Sequence, residues 1–335
     1  MMSNFSYHVE KYFAEYLPLH IGASDNTRKS YRDAFVQLLG YIESELRIKA
    51  GKVQIETLTD GVIEGFLLYL EETKGVSVST RNQRLAAIHS FVRYLQRREL
   101  AYFERCSAIL AIPFKKAPHP SMAWLSVREI EILLSLPDTR SKKGLRTLAV
   151  LVVLYETGAR VQELICLTVA SLHLSPDRLF VELRGKGNKL RQIPIGEDAA
   201  AIISKYLNAH RINASDDAVF TNNRGEELTR AGVQHIIDKY ISEARQLHPD
   251  LFRRKYSNHS FRHSKAMHLL EAGVNLIYIR DFLGHSSVTT TEIYAKTNPD
   301  IKRKIIAENT MLGNAAAHYD EDEREDLLAW LKNNL

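Results

Sequence analysis

Four short clusters in this chain of 335 residues hold side chains whose types and spacing could do chemistry. The first is Thr157-Gly158-Ala159-Arg160-Val161-Gln162-Glu163-Leu164, where an apolar helix ends at Gly158 and an arginine opens the next helix with Glu163 one turn on. A guanidinium held there presents a planar fork suited to two phosphate oxygens; its plainer use is a surface pair with Glu163. The second is Lys186, flanked by Gly185 and Gly187. It can be merely solvated, or its flexible ammonium can reach into a groove and donate a proton. The third is His259-Ser260-Phe261-Arg262-His263. Spacing i, i+3 sets His259 and Arg262 on one face at a helix N-terminus, where amides and the dipole favour an anion. His259 and His263 at i, i+4 allow a metal instead, but the glutamate of an HExxH zinc motif is missing. The fourth is Leu283-Gly284-His285-Ser286-Ser287, with Tyr294 nine residues after His285. A phenol attacks only when a base or nearby cations lower the cost of its anion; two arginines, a lysine and two histidines would supply that field. Each cluster alone has a bland structural use. Their joint occurrence points to phosphoryl chemistry.

The elements that must position these groups are legible in outline. Residues 144–157 form a strongly apolar helix, and Ser126 with Glu129 makes a capping box ahead of Ile130, Leu133 and Leu134. The segments 179–183 and 190–195 read as two antiparallel strands whose connecting glycines supply the positive φ of a tight hairpin. From Gly196 onward the pattern is helical except for a strand-like AVFTN at 218–222. Prolines 113, 118 and 120 break any helix across 112–122, which reads as an interdomain linker rather than a loop within one domain. Before it, Tyr31, Phe35, Leu38 and Ile42 form one apolar stripe on a helix beginning near Asn26. A second helix starts near Ser79, with Leu85, Ile88, Val92 and Leu95 inward and Asn82, His89, Arg93 and Arg97 on the opposite face. That face is either solvated or laid against DNA, with Arg93 and Arg97 on phosphates.

Composition narrows the class. Lys+Arg number 45 against 40 Asp+Glu, a formal charge of +5; the last 16 residues are net −4, which leaves +9 on the rest. A basic body with an acidic end hints at a polyanionic partner. A hydrophobic share of 45% and a charged share of 25% fit a globular protein of about two domains. No apolar run of membrane-spanning length is present, MMSNFSYHVEKYF lacks the basic-then-apolar pattern expected of a secreted chain, and the two cysteines, Cys106 and Cys166, form no CxxC, which suits a reducing cytosol.

Arg160 with Glu163, Lys186 in GKGNK, His259-x-x-Arg262, His285 in LGH, and Tyr294 together resemble, in order and spacing over residues 123–300, the tyrosine recombinases of the phage-integrase superfamily. The likeness points to its Xer-like and transposon-borne bacterial branch, and TRKSYRDAF and STRNQRLAAIHSFVRYL are similar to that family's core-binding domain. The resemblance implies a mainly α fold with a small antiparallel sheet in the C-terminal domain, arranged as a two-domain C-shaped DNA clamp. Its parts would be a SAM-like helical core-binding domain (1–112), a linker (113–122), a catalytic domain (123–310) and a C-terminal tail (311–335). Tyr294 would attack the scissile phosphate and form a 3′-phosphotyrosyl link. Arg160 and Arg262 would hold the non-bridging oxygens, Lys186 would protonate the leaving 5′-oxygen, and His259 and His285 would stabilise the transition state and help manage the tyrosine proton. Glu163 would orient its neighbours. Asn82, His89, Arg93, Arg97, Lys115 and Lys116 are candidate DNA contacts.

No cofactor, ATP or metal is implied. The partners would be a double-stranded recombination site and further protomers, four on two duplexes exchanging strands through a Holliday junction, with or without a sister recombinase. The setting would be the bacterial cytoplasm, at the nucleoid. Leu327, Leu328, Leu331 and Leu335 form an apolar stripe on a tail helix that would dock on a neighbouring protomer or on its own domain. Two other activities fit the same residues: nicking and rejoining of the type IB topoisomerase kind, and DNA binding without catalysis.

Overall fold

Helices of the first part of the chain begin at hydroxyls that accept a backbone N–H: Ser24 from Thr27, Thr59 from Val62 and Ser77 from Thr80, each at 3.2 Å. This satisfies donors the first turn leaves orphaned. In the computed structural model the described residues are 4–117, 122–185, 188–222, 224–285, 287 and 291–294. They fall into two compact units, within residues 1–120 and 121–335. The tail read as a docking helix lies outside the described residues.

The first unit is helical: α1 (Asn4–Lys11), π-helical turns over Tyr12–His20, α2 (Asp25–Leu46), α3 (Asp60–Glu72), α4 (Val78–Gln96) and α5 (Phe103–Leu110). Its core is aromatic, with Phe91 set edge-on to Tyr12 at 5.3 Å and to Phe35 at 5.1 Å. Helix α4 runs through the middle, touched by α2, α3 and α5. That position corrects one expectation. His89 does not lie on a solvated face with Arg93: it is 2% exposed, and its Nε2 sits 3.0 Å from the Ile109 carbonyl. A helix packed on several sides buries more than one stripe, so periodicity alone misplaces residues at the margin. Asn82 is partly buried and clamps the Lys115 backbone, donating to its carbonyl at 2.7 Å and accepting from its amide at 3.1 Å. The Lys115 ammonium pairs with Glu71 at 2.6 Å. Arg93, Arg97 and Lys116 are exposed.

The second unit is built round α7 (Lys142–Thr157), which is buried on every side beneath α6 (Val127–Ser135), α9 (Glu197–His210), α10 (Arg230–Leu247) and α11 (Asn258–Glu271). The Ser126–Glu129 capping box forms, and Glu129 also accepts the Phe252 amide at 2.9 Å. Strands β1 (Leu172–Ser175), β2 (Arg178–Arg184) and β3 (Leu190–Pro194) make an antiparallel sheet in that order, with Val181 opposite Ile193 and Leu183 opposite Arg191. β1 was not expected. AVFTN joins no sheet: it makes isolated bridges, Thr168 to Ala218 and Thr221 to Glu227, and buries Val219 and Phe220 against the core. In the β2–β3 turn the positive φ among described residues belongs to Asn188, at +61°, rather than to a glycine.

Candidate active site

Three chain reversals bring the chemistry-bearing residues of the second unit together. Helix α7 stops at Gly158, whose φ of +57° is the left-handed conformation that favours glycine. Its carbonyl is thereby free to accept from Arg262 Nη1 at 2.8 Å. Helix α12 (Leu276–Leu283) stops at Gly284 in the same way, φ +62°, and Arg262 Nη2 donates to the Leu283 carbonyl. Arg262 is thus 3% exposed and tied to two helix ends, with its remaining N–H groups uncommitted to these bonds. A methyl at 158 would lie 3.2 Å from both Leu283 Cδ2 and Phe282 Cε1, so glycine also lets α12 close on α7.

Arg160 sits at the N-cap of α8 (Val161–Ile165) and donates to Glu163 at 2.9 Å and to the Gly284 carbonyl at 3.2 Å. Its side chain is 33% exposed, so the pair with Glu163 does not use up the guanidinium. Glu163 is 4% exposed and accepts four N–H groups: Arg160 N at 2.7 Å, Arg160 Nη1 at 2.9 Å, and Arg191 Nη1 and Nη2 at 2.9 and 2.7 Å. Burial works against its charge, but Arg191 and then Arg160 outweigh it and hold the carboxyl below its ordinary value. Arg191 was missed in the sequence. Its signal was there: on β3 it shares a face with Ile193, which is buried, and a cation on a buried sheet face requires an anionic partner. Gly185 carries the hairpin base against this pair; a methyl there would meet Arg191 Nη1 at 3.3 Å and Glu163 Oε1 at 3.4 Å. Lys186, the expected proton donor, lies outside the described residues.

Tyr294 is 1% exposed, its ring parallel to that of His285 at 6.4 Å and tilted 57° to that of His263 at 5.7 Å. Burial raises its pKa; Arg262 and Arg160 pull it back without cancelling the rise, so the phenol is protonated at rest. Of the expected field, the two arginines act on Tyr294 and the imidazoles beside them are neutral, and the guanidiniums do not by themselves produce a phenolate. The Tyr294 hydroxyl lies 3.0 Å from His263 Nδ1. His285 Nδ1 lies 3.0 Å from Thr291 Oγ1. Burial, with Arg262 and Arg160 near, lowers His259 and carries His285 down to about 4; burial, with His259 and Arg262, carries His263 to about 4. Burial and the neighbouring guanidiniums hold Arg262 at about 9, still a cation at neutral pH. Among the described residues no three His, Cys, Asp or Glu side chains gather as a metal site. What the arrangement offers is two guanidiniums, neutral imidazoles and a buried phenol, a set suited to an anionic ester whose charge grows during reaction.

Residues 123–300 match the model of the phage integrase family, and residues 11–99 match that of the phage integrase N-terminal SAM-like domain. The chain belongs to the phage integrase family, the tyrosine recombinases. A Sinorhizobium fredii protein named as an integrase/recombinase is 33% identical over 325 residues, 97% of either chain. The tyrosine recombinase XerD of Oceanobacillus iheyensis is 34% identical across 86% of this chain and 93% of its own. In fold, the chain is similar to a Tn1549 transposon integrase in complex with transposon right end DNA, with a TM-score of 0.67 over 89% of this chain and 98% of the other at 17% identity. Among the described residues no helix is long and apolar enough to cross a membrane.

Proposed function

We propose that this protein is a site-specific DNA recombinase that cuts and rejoins double-stranded DNA by transesterification, with Tyr294 as nucleophile. The observation that carries the reading is the gathering of Arg160 and Arg262 within electrostatic reach of the buried Tyr294 hydroxyl, with the His285 ring parallel to its own and His259 beside the same two guanidiniums. Family membership and a fold neighbour solved on transposon end DNA support a DNA substrate. Arg160 and Arg262 hold the non-bridging oxygens and stabilise the pentavalent transition state. Lys186 protonates the leaving 5′-oxygen, His259 and His285 assist, and Glu163 fixes Arg160. The 3′-phosphotyrosyl link conserves the ester energy, so the scheme needs neither ATP nor a metal. Arg93, Arg97 and Lys116 remain available to the DNA backbone; His89 does not, and Asn82 and Lys115 are held within the first unit.

Acting on two duplexes, four protomers exchange strands through a Holliday junction, with the 311–335 tail on a neighbouring protomer, in integration, excision, transposition or resolution at the bacterial nucleoid. The test is a duplex selected for binding and nicked beside the scissile position. The wild-type protein should form a covalent adduct, and Tyr294→Phe should form none while binding the duplex as tightly. An adduct with Tyr294→Phe rejects this nucleophile. A plasmid carrying two sites should yield recombinants; relaxation without exchange would favour a topoisomerase-like activity.

A further inference from the structure

The contact between Tyr294 and His263 has no role in the scheme above. The hydroxyl lies 3.0 Å from His263 Nδ1, which is its side-chain partner among the described residues. The other two histidines are placed differently: the His285 ring lies parallel to the Tyr294 ring with its Nδ1 3.0 Å from Thr291 Oγ1, and His259 packs against His263 with ring centres 6.3 Å apart. We propose that His263 Nδ1 is the general base that takes the Tyr294 proton during attack, which rests on the reading of Tyr294 as nucleophile. The Tyr294 O–H bond breaks, its oxygen forms the bond to phosphorus, and the proton passes to His263 as imidazolium. The P–O5′ bond breaks, and the departing oxygen takes a proton from the general acid. In rejoining, the 5′-hydroxyl oxygen attacks phosphorus and returns its proton to the general acid, the P–O bond to Tyr294 breaks, and the tyrosine oxygen recovers its proton from His263, so the cycle consumes none.

The surroundings require that transfer accompany bond formation. His263 faces His259 and Arg262 of its own helix, His285 after α12, and Tyr294. Burial, then His259 and Arg262, keep it neutral at rest, at about 4, while burial keeps the phenol protonated. As the phenol oxygen bonds to phosphorus its proton becomes acidic, and the phosphate charge favours the imidazolium that forms.

The experiment is single-turnover cleavage of the same nicked duplex, and of one with sulfur at the bridging 5′ position, whose thiolate leaves without a proton. His263→Asn and His263→Gln should slow cleavage of both substrates by about 10²-fold or more, with affinity for the duplex kept. Their rates should climb through alkaline pH as the phenol ionises unaided, where the wild-type rate levels off. Wild type should show a solvent deuterium isotope effect on the sulfur substrate, the proton being in flight. The assignment is overturned if either variant cleaves within about threefold of wild type, or if the sulfur substrate erases the defect. Absence of the isotope effect also overturns it, and that result needs no variant to fold. If wild type forms no adduct, or Tyr294→Phe forms one, the nucleophile reading falls and the base falls with it. Normal adduct chemistry with an unimpaired His263→Asn removes the base alone.

Discussion

Replacing Glu163 by Gln tests the device that holds the arginines. The carboxylate is 4% exposed and accepts four N–H groups from Arg160 and Arg191. Glutamine keeps the shape, but one oxygen becomes a donor facing two other donors, and the negative charge between two guanidiniums is gone. Two lost bonds to a charged group, at about 1.5–3 kcal/mol each, give about 3–6 kcal/mol. Breaking a buried ion pair from one side gives about 3–5 kcal/mol, in agreement. About 4 kcal/mol is a large part of the ~5–15 kcal/mol that stabilises a domain. With a urea dependence near 2–3 kcal/mol per molar, the midpoint of the second unit should fall by about 1–2 M, followed by tryptophan fluorescence. Trp124 lies within that unit. The pH dependence has a definite sign. Because the folded carboxyl lies below its ordinary 4.5, its stabilisation is complete above that pH and is lost as pH falls through the lowered value. The gap between wild type and variant should be flat from about pH 5 to 8 and close below. A midpoint shift equivalent to less than about 1 kcal/mol, or a gap that widens as pH falls, would show that the Glu163 carboxylate does not hold the two arginines.

The remaining expectations concern other parts of the molecule. His263, lowered from 6.5 to about 4, binds its proton more readily unfolded, so wild-type stability should fall as pH drops through that window. His263→Gln should recover about 3 kcal/mol of that loss at pH 4, measured by urea titration at each pH. Gly284→Ala forces an L side chain into φ +62° and sets its methyl 3.1 Å from Arg191 Nη1. It should cost about 1–2 kcal/mol and reduce adduct formation more than DNA affinity. In the first unit, His89→Gln should destabilise by about 1 kcal/mol and leave the salt dependence of DNA binding unchanged. Arg93→Ala or Arg97→Ala should each reduce that slope by about 0.9 for a lost phosphate contact.

Much of the scaffold was legible because it rests on local rules. The stop at Gly158, the Ser126–Glu129 box and the two strands of the hairpin follow from residues within a few positions of each other. The run of site motifs was legible as well, since each is a short segment whose residue types match one role. Three features were not. Strand β1, LHLS, is too short and too mixed to announce itself, and exists because β2 pairs with it. AVFTN has the composition of a strand but finds its partners one bridge at a time, so composition overstated it. His89 sits at the edge of the face holding Arg93, and the packing of α5 decides that it is buried.

Primary structure alone sets which groups the protein has for phosphoryl chemistry: the arginines, histidines and Tyr294, in an order that marks their family. Tertiary structure decided which of them meet, because hydrogen bonds and charge act over a few ångströms between residues far apart in the chain. Arg262 is fixed by carbonyls 104 and 21 residues away. Glu163 is shared with an arginine 28 residues on, and the Tyr294 hydroxyl finds His263, which the sequence had offered only as half of a metal pair. Burial decided the protonation of the phenol against the pull of two guanidiniums, a balance that no spacing of residues along the chain records.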